Sequence, residues 1–315
     1  MRTITAHERN LILDVAGEGL IPLPAAALEK DVLVTEVLQK LVDIDVEGIN
    51  LIFCGGTCLS KAHGLIGRMS EDIDFKVVVP TGLSRSQRSK LLSRFKKHLI
   101  AVFAAEGYVV PEDEVIARDE NSYIALNISY ESLFGAVASL RSEIKLEFSA
   151  RSVLLPVQML PVRSIVEFLV APETEGFRTN CLGVPESVGE KVLSFLRRTA
   201  EVLSGQVSRE YDDRLIRHLY DVAVINRRIP DLISSLAGDV FEKMVDADAE
   251  RFSRQFPEFR LNPVAEMRRS LEYLETDEHL AAEYDRFVTD LVYGDQLAFE
   301  DARVEFIEFA RRLLS

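Results

Sequence analysis

Two short stretches hold residue types whose spacing supports chemistry: Gly55-Gly56-Thr57 and, further along, Asp72-Ile73-Asp74. If Asp72 to Phe75 is extended, alternation puts both carboxylates on one face, roughly 6–7 Å apart along the strand, with Ile73 and Phe75 turned to the core. Carboxylates that close repel each other, and a cation between them removes the need for one to stay protonated. A hard divalent ion, Mg²⁺ with Mn²⁺ as its alternative, takes carboxylate and phosphate oxygens together. Gly55 and Gly56 offer backbone N–H groups without Cβ atoms at a helix start, where unpaired amides and the helix dipole favour a polyphosphate. The Thr57 hydroxyl either caps that helix or donates to a terminal phosphate. Each motif alone is common on solvated turns and strand edges. Their order, strand, Gly-Gly-Thr, helix, then a strand bearing Asp-x-Asp, sets a phosphate cradle beside a metal site.

The elements that must position these residues follow from apolar spacing. Asn50 to Cys54 reads as a short buried strand stopped by Gly55-Gly56, and a helix is expected from Thr57 to about Ile66. Asp72 to Val79 is the second strand, ended by Pro80-Thr81-Gly82. Helices are expected over Ala27 to Val42, after Pro22-Leu23-Pro24, and over Ser84 to Glu106, with Leu91, Leu92, Phe95, Leu99, Val102 and Phe103 as its stripe. Tyr108 to Val110, Tyr123 to Tyr130 and Glu143 to Phe148 are further strand candidates. On the last, Glu143, Lys145 and Glu147 share a face, so Glu147 is a candidate third metal carboxylate; a solvated strand face accounts for the same alternation. Lys61, Arg68 and Ser70 flank the site and could meet phosphate charge or lie on the surface.

Beyond Pro185 the pattern is almost entirely helical. The expected organisation is α+β: a mixed-sheet domain over residues 1–175, then an all-helical domain over 176–315. At 315 residues the chain suits two cores better than one. Its apolar runs are too short for a membrane span, and its start lacks the apolar stretch of a secretory signal, so the expectation is a cytoplasmic protein with no membrane partner. Cys54, Cys58 and Cys181 are too few and too scattered for a disulfide framework or zinc site, and read as small buried residues. A net charge of −14 argues against non-specific coating of nucleic acid but leaves room for a local basic groove. Candidate grooves are Arg85, Arg88, Lys90, Arg94 and Lys96-Lys97-His98, and Arg197-Arg198 with Arg209, Arg214 and Arg217. On a Tyr211 to Asn226 helix, Arg214, Arg217, His218 and Asp221 form one polar stripe, which in most helices is a solvated face.

Gly55-Gly56-Thr57-Cys58-Leu59-Ser60-Lys61 followed by Arg68-x-Ser70-Glu71-Asp72-Ile73-Asp74-Phe75 resembles the signature of the AbiEii/AbiGii (MenT-type) nucleotidyltransferases, toxin components of bacterial toxin–antitoxin and abortive-infection systems. Upstream, Glu29-Lys30-Asp31 resembles the family's helix start, and Glu190-Lys191 and Arg217-His218-Leu219-Tyr220-Asp221 resemble its two later motifs. Thr57 stands where the wider superfamily usually has Ser. The resemblance implies a DNA polymerase β-like nucleotidyltransferase fold and a two-ion Mg²⁺ site on Asp72 and Asp74. It implies a nucleotide pocket around Gly55, Gly56 and Thr57, Lys191 on the nucleotide phosphates, and Asp221 as a further catalytic residue, the last two brought to the active-site cleft by the helical domain. It further implies transfer of a nucleoside monophosphate from an NTP to an acceptor, with tRNA as the expected acceptor and a cognate antitoxin as partner. Other readings stay open: transfer to a small molecule such as an aminoglycoside or to protein hydroxyls, and a non-catalytic nucleotide-binding module. Residues after about 230 resemble nothing assigned.

Overall fold

The computed structural model describes residues 1–136, 139–205 and 212–315, and the chain divides into two compact units, Met1–Gly183 and Val184–Ser315. In the first unit the order is α1 (Ala6–Gly17), α2 (Ala25–Val42), β1 (Asn50–Cys54), α3 (Gly55–Lys61), β2 (Ile73–Val78), α4 (Arg85–Ala105), β3 (Ile116–Arg118), β4 (Tyr123–Ser129), β5 (Glu143–Ser149), β6 (Gln158–Val162), α5 (Ile165–Val170) and β7 (Phe177–Cys181). The strands form one mixed seven-stranded sheet in the order β3-β4-β5-β2-β1-β7-β6. β1 and β2 run antiparallel in the centre, flanked by parallel pairings of β2 with β5 and β1 with β7. The sheet therefore extends past residue 175: β7 pairs with both β1 and β6, which carries the first unit to Gly183, beyond the boundary expected from composition.

Alternation on the central strands separates a core face from a polar one. Ile73, Phe75, Leu146, Phe148, Ile124 and Leu126 are buried, and a ladder of rings joins Phe53 to Phe75 (5.4 Å) and Phe75 to Phe148 (5.9 Å). Beneath it, Phe95 of α4 meets Phe148 edge-on at 5.3 Å, and Leu92, Leu99 and Phe103 complete that helix's buried stripe. α4 starts where Ser84 and Gln87 form a reciprocal capping box, each side chain bonding the other's backbone N–H. The expected strand at Tyr108 to Val110 reduces to a single bridge between Val109 and Ser129.

The second unit contains α6 (Val184–Leu203), α7 (Ile216–Arg228), α8 (Asp239–Arg251), α9 (Pro257–Leu261), α10 (Pro263–Thr276), α11 (Leu280–Leu291) and α12 (Phe299–Leu313). Phe195 of α6 packs on Phe306 of α12 at 5.0 Å, and Ser270 of α10 donates to the Leu196 carbonyl at 2.8 Å, so α6 is a central element of this unit. The expected Tyr211 to Asn226 helix starts later, at Ile216 after a 3₁₀ turn over Asp213–Leu215; Arg209 and Tyr211 lie outside the described residues. Among the described residues no helix is long and apolar enough to cross a membrane.

Candidate active site

β1 runs directly into α3, with no intervening loop, and the helix begins at Gly55 itself rather than at Thr57. Gly55 has φ +76°, and a Cβ placed on it would lie 2.2 Å from Asp74 Oδ2. A side chain at this position is thus excluded twice, by backbone conformation and by the carboxylate that rests against it. At Gly56 a Cβ would lie 2.6 Å from an Arg68 guanidinium nitrogen and 3.0 Å from Ser70 Oγ. The two glycines let Asp74, Arg68 and Ser70 approach the first turn of α3, whose leading N–H groups have no intrahelical acceptor. Arg68 is itself buried, with its Nη1 donating to the Met69 carbonyl at 3.0 Å.

Thr57 does a different job from either expectation. It is fully buried, and its hydroxyl bonds Ser70 Oγ at 2.9 Å and donates to the Asp72 backbone carbonyl. It clamps the chain entering β2 onto α3 and sets the height at which Asp72 and Asp74 leave that strand. Its hydroxyl is committed within the fold.

On the polar face, Asp74 lies across from Cys54 on one side and from Glu147 on the other. The Glu147 carboxylate pairs with Lys145 two residues earlier on the same face. Tyr123, which faces this acidic patch from β4, has its hydroxyl pKa pushed up to about 12, first by burial and then by the charge of Glu147. Asp72, immediately before β2, has its Oδ1 3.5 Å from Arg141 Nε. Both of those atoms are buried and neither makes a hydrogen bond.

Among the described residues no group of three or more His, Cys, Asp or Glu side chains is gathered closely enough to hold a metal ion alone. Asp72 and Asp74 fit a site that the substrate completes. Mg²⁺ is commonly held by one or two carboxylates together with phosphate oxygens and water, and Asp72 Oδ1 is a buried carboxylate oxygen without a hydrogen-bond donor.

Behind this face lies a buried ionic framework built by Glu29-Lys30-Asp31 on α2. Glu29 accepts from Leu133 N (2.8 Å) and Ser132 Oγ (2.5 Å). Lys30 is 1% exposed and donates to Glu71 Oε2 at 2.5 Å, to the Arg141 carbonyl at 2.6 Å and to the Glu143 carbonyl at 3.0 Å. Burial lowers its pKa, and the Glu71 charge opposes that shift. Asp31 accepts from the Ile165 amide at 2.6 Å and pairs with Lys61. Lys61, expected near phosphate, also donates to Thr35 Oγ1 at 2.9 Å, so its ammonium is spent inside the fold. Cys54, Cys58 and Cys181 are free and buried.

In the helical unit Lys191 Nζ is 2.8 Å from Asp221 Oδ2, with Asp221 wholly buried. His218 Nδ1 is 3.1 Å from the Lys191 carbonyl, which fixes α6 to α7 around that pair. Asp221 therefore does not share a solvated stripe with Arg214. Arg197 is sequestered by Asp248 at 2.7 Å, and Arg198 pairs with Asp212. On α4, Arg85 pairs with Glu120 and Arg88 donates to the Ala150 carbonyl at 2.9 Å, while Lys97 and His98 are exposed. Both expected basic grooves are thus partly consumed by internal partners. Arg141 and Tyr123 were not anticipated; continuing the alternation of Glu147, Lys145 and Glu143 back by one more step reaches Arg141.

A protein-family profile described as "Nucleotidyl transferase AbiEii toxin, Type IV TA system" matches residues 37–305. No curated protein matches the chain. Among solved structures, MenT4, a nucleotidyltransferase toxin from Mycobacterium tuberculosis H37Rv, is similar at 17% identity over 73% of this chain and 73% of that chain, with a TM-score of 0.37.

Proposed function

The chain belongs to the AbiEii nucleotidyl transferase toxin family of type IV toxin–antitoxin systems, and on that premise we propose that it transfers a nucleoside monophosphate from an NTP to tRNA in a Mg²⁺-dependent reaction. Membership makes it a nucleotidyltransferase with a nucleotide substrate and a cognate antitoxin. The acceptor, the metal and a cytoplasmic site of action are the further parts of the proposal.

The observation that carries the reading is the Asp74 carboxylate pressed against Gly55, on the strand that Asp72 enters. Asp72 and Asp74 would hold Mg²⁺, which when bound supplies charge neutralisation to the triphosphate and acidifies an acceptor hydroxyl. The Gly55-Gly56 turn, with Arg68 and Ser70 beside it, offers donors to the polyphosphate. An acceptor hydroxyl attacks the α-phosphorus in line and pyrophosphate leaves. Glu147, paired with Asp74 on the neighbouring strand and held by Lys145, is assigned a supporting place beside the metal rather than in a three-carboxylate cage. Lys191 is assigned to the nucleotide phosphates and Asp221 to catalysis; their 2.8 Å buried pairing supports a fixed ammonium rather than a mobile one.

Purified protein incubated with each labelled NTP, Mg²⁺ and total tRNA tests this, with label on RNA expected. The net charge of −14 favours a second acceptor class, cationic small molecules. Label on an added aminoglycoside, with none on RNA, would establish that reading instead.

A further inference from the structure

Arg141 stands out among the cations around the acidic face because its backbone is fixed while its buried Nε–H has no hydrogen-bond acceptor. Its amide donates to Glu71 Oε2 at 2.8 Å, and its carbonyl accepts from Lys30 Nζ at 2.6 Å. Glu71 and Lys30 are each 1% exposed and paired with each other, so the anchor is a deeply buried ionic knot. Glu71 also immediately precedes Asp72, so one knot sets both Arg141 and the first carboxylate. Other basic side chains on or behind this face have acceptors: Lys145 holds Glu147, Arg68 donates to the Met69 carbonyl, Lys61 holds Asp31 and Lys30 holds Glu71. Arg141 Nε instead lies 3.5 Å from Asp72 Oδ1, close enough for charge attraction but with neither atom hydrogen-bonded.

A guanidinium carries five donors in a rigid fork that suits phosphate oxygens, and leaving a buried N–H unpaired is costly. We propose that Arg141 is a nucleotide-binding residue: it neutralises Asp72 when substrate is absent and turns its donors to the triphosphate oxygens when a metal–nucleotide complex arrives. A divalent ion on Asp72 repels the guanidinium, and only an anion placed between the two cations removes that repulsion. The triphosphate is that anion. This inference rests on the nucleotidyltransferase reading of the same face.

Two properties then move in opposite directions in Arg141→Gln. Binding of Mn²⁺ alone, followed by electron paramagnetic resonance, is unchanged or tighter, because a competing cation is gone. Binding of the four α,β-methylene nucleoside triphosphates, each tested with Mn²⁺ by calorimetry, is at least tenfold weaker than in the wild type. Arg141→Lys keeps the backbone anchor and a charge but loses the fork, and recovers part of the affinity. A merely structural arginine would lower the melting temperature and weaken both kinds of binding together, which overturns the proposal. Wild-type affinity for the analogues in Arg141→Gln also overturns it, and leaves the reading of the site standing. Failure of the wild-type protein to bind any analogue removes that reading and this inference with it. Should Arg141→Gln not fold, Arg141→Lys decides: undiminished nucleotide affinity would show that any cation suffices and would overturn the assignment to the fork.

Discussion

Replacing Gly55 by Ala tests how closely the turn and the carboxylate are fitted. The φ of +76° is in the left-handed region, where a Cβ costs about 1–2 kcal/mol. The added methyl would also stand 2.2 Å from Asp74 Oδ2, 3.0 Å from its Cγ and 3.1 Å from its Cβ. The conflict involves the root of that side chain as well as its tip, so rotating the carboxylate does not relieve it fully. Since ordinary contact begins near 3.4 Å, Asp74 must retreat, and a displacement of roughly 1 Å at a reacting group costs on the order of 100-fold in rate. Gly55→Ala should lose at least about 1 kcal/mol of stability, a fall of roughly 2–4 °C in melting temperature for a unit of this size, and about 100-fold or more in label transfer. Gly56→Ala is the control. There the close atoms are only the ends of the Arg68 and Ser70 side chains rather than the root of a side chain, and no positive φ is involved. It should cost less than about 1 kcal/mol, because Ala gains roughly that much over Gly within a helix. Transfer activity in Gly55→Ala within threefold of wild type, at unchanged stability, would refute the reasoning.

Other expectations follow from the buried contacts. Lys30→Met leaves the Glu71 carboxylate buried without its cation and should cost about 3–5 kcal/mol in denaturant unfolding; a loss below about 1 kcal/mol would show that the knot is not what holds Arg141 and Asp72. Thr57→Val keeps the shape but removes the hydroxyl held by the Asp72 carbonyl and Ser70, for about 1–3 kcal/mol, whereas Thr57→Ser should lie near wild type; equal stability of the two variants contradicts the clamp. His63 is partly buried, with Nε2 2.9 Å from the Leu182 carbonyl, and burial lowers its pKa below 6.5 against that carbonyl's opposing effect. Between the folded value and 6.5 the unfolded chain binds more protons, so stability rises with pH through that window and falls on acidification. His63→Gln should flatten the slope of melting temperature against pH just below 6.5; an unaltered slope places the titration elsewhere.

The strands that carry the candidate site were legible because glycine and proline punctuate them. Asn50 to Cys54 ends at Gly55-Gly56, and Ile73 to Val78 ends shortly before Pro80, so both were placed to within a residue or two. Edge elements were not. β6 contains Pro161 and has four of its five residues at least partly exposed, so it carries no alternation to read. β7 follows a loop of Pro, Gly and Thr that reads as the end of a domain, which is why the boundary was expected too early. α1 is not marked by apolar spacing; in the structure it opens on a capping box between Thr5 and Glu8.

Side-chain roles were less legible than elements, since the partners lie far apart in sequence. Lys30 finds Glu71, Lys61 finds Asp31 and Glu29 finds Leu133, none of which leaves a local pattern. Asp221 shows the same limit within one helical motif. Helical spacing puts it in line with Arg217 and His218, while its burial depends on Lys191, thirty residues earlier, which spacing alone does not reveal. Cys54, Cys58 and Cys181 followed the ordinary behaviour of free thiols and are buried.

Divalent-dependent nucleotide binding in Asp74→Asn goes to the centre of the account. The substitution keeps the shape against Gly55 and removes only the charge. The variant should stay folded, within about 1 kcal/mol of the wild type, since the side-chain shape is kept. Binding of α,β-methylene nucleoside triphosphates should lose its dependence on Mn²⁺, and transfer of label from NTP should drop by at least about three orders of magnitude, as loss of a ligand to a catalytic metal does. A folded Asp74→Asn protein that still binds nucleotide in a metal-dependent way and transfers label within tenfold of wild type would contradict it.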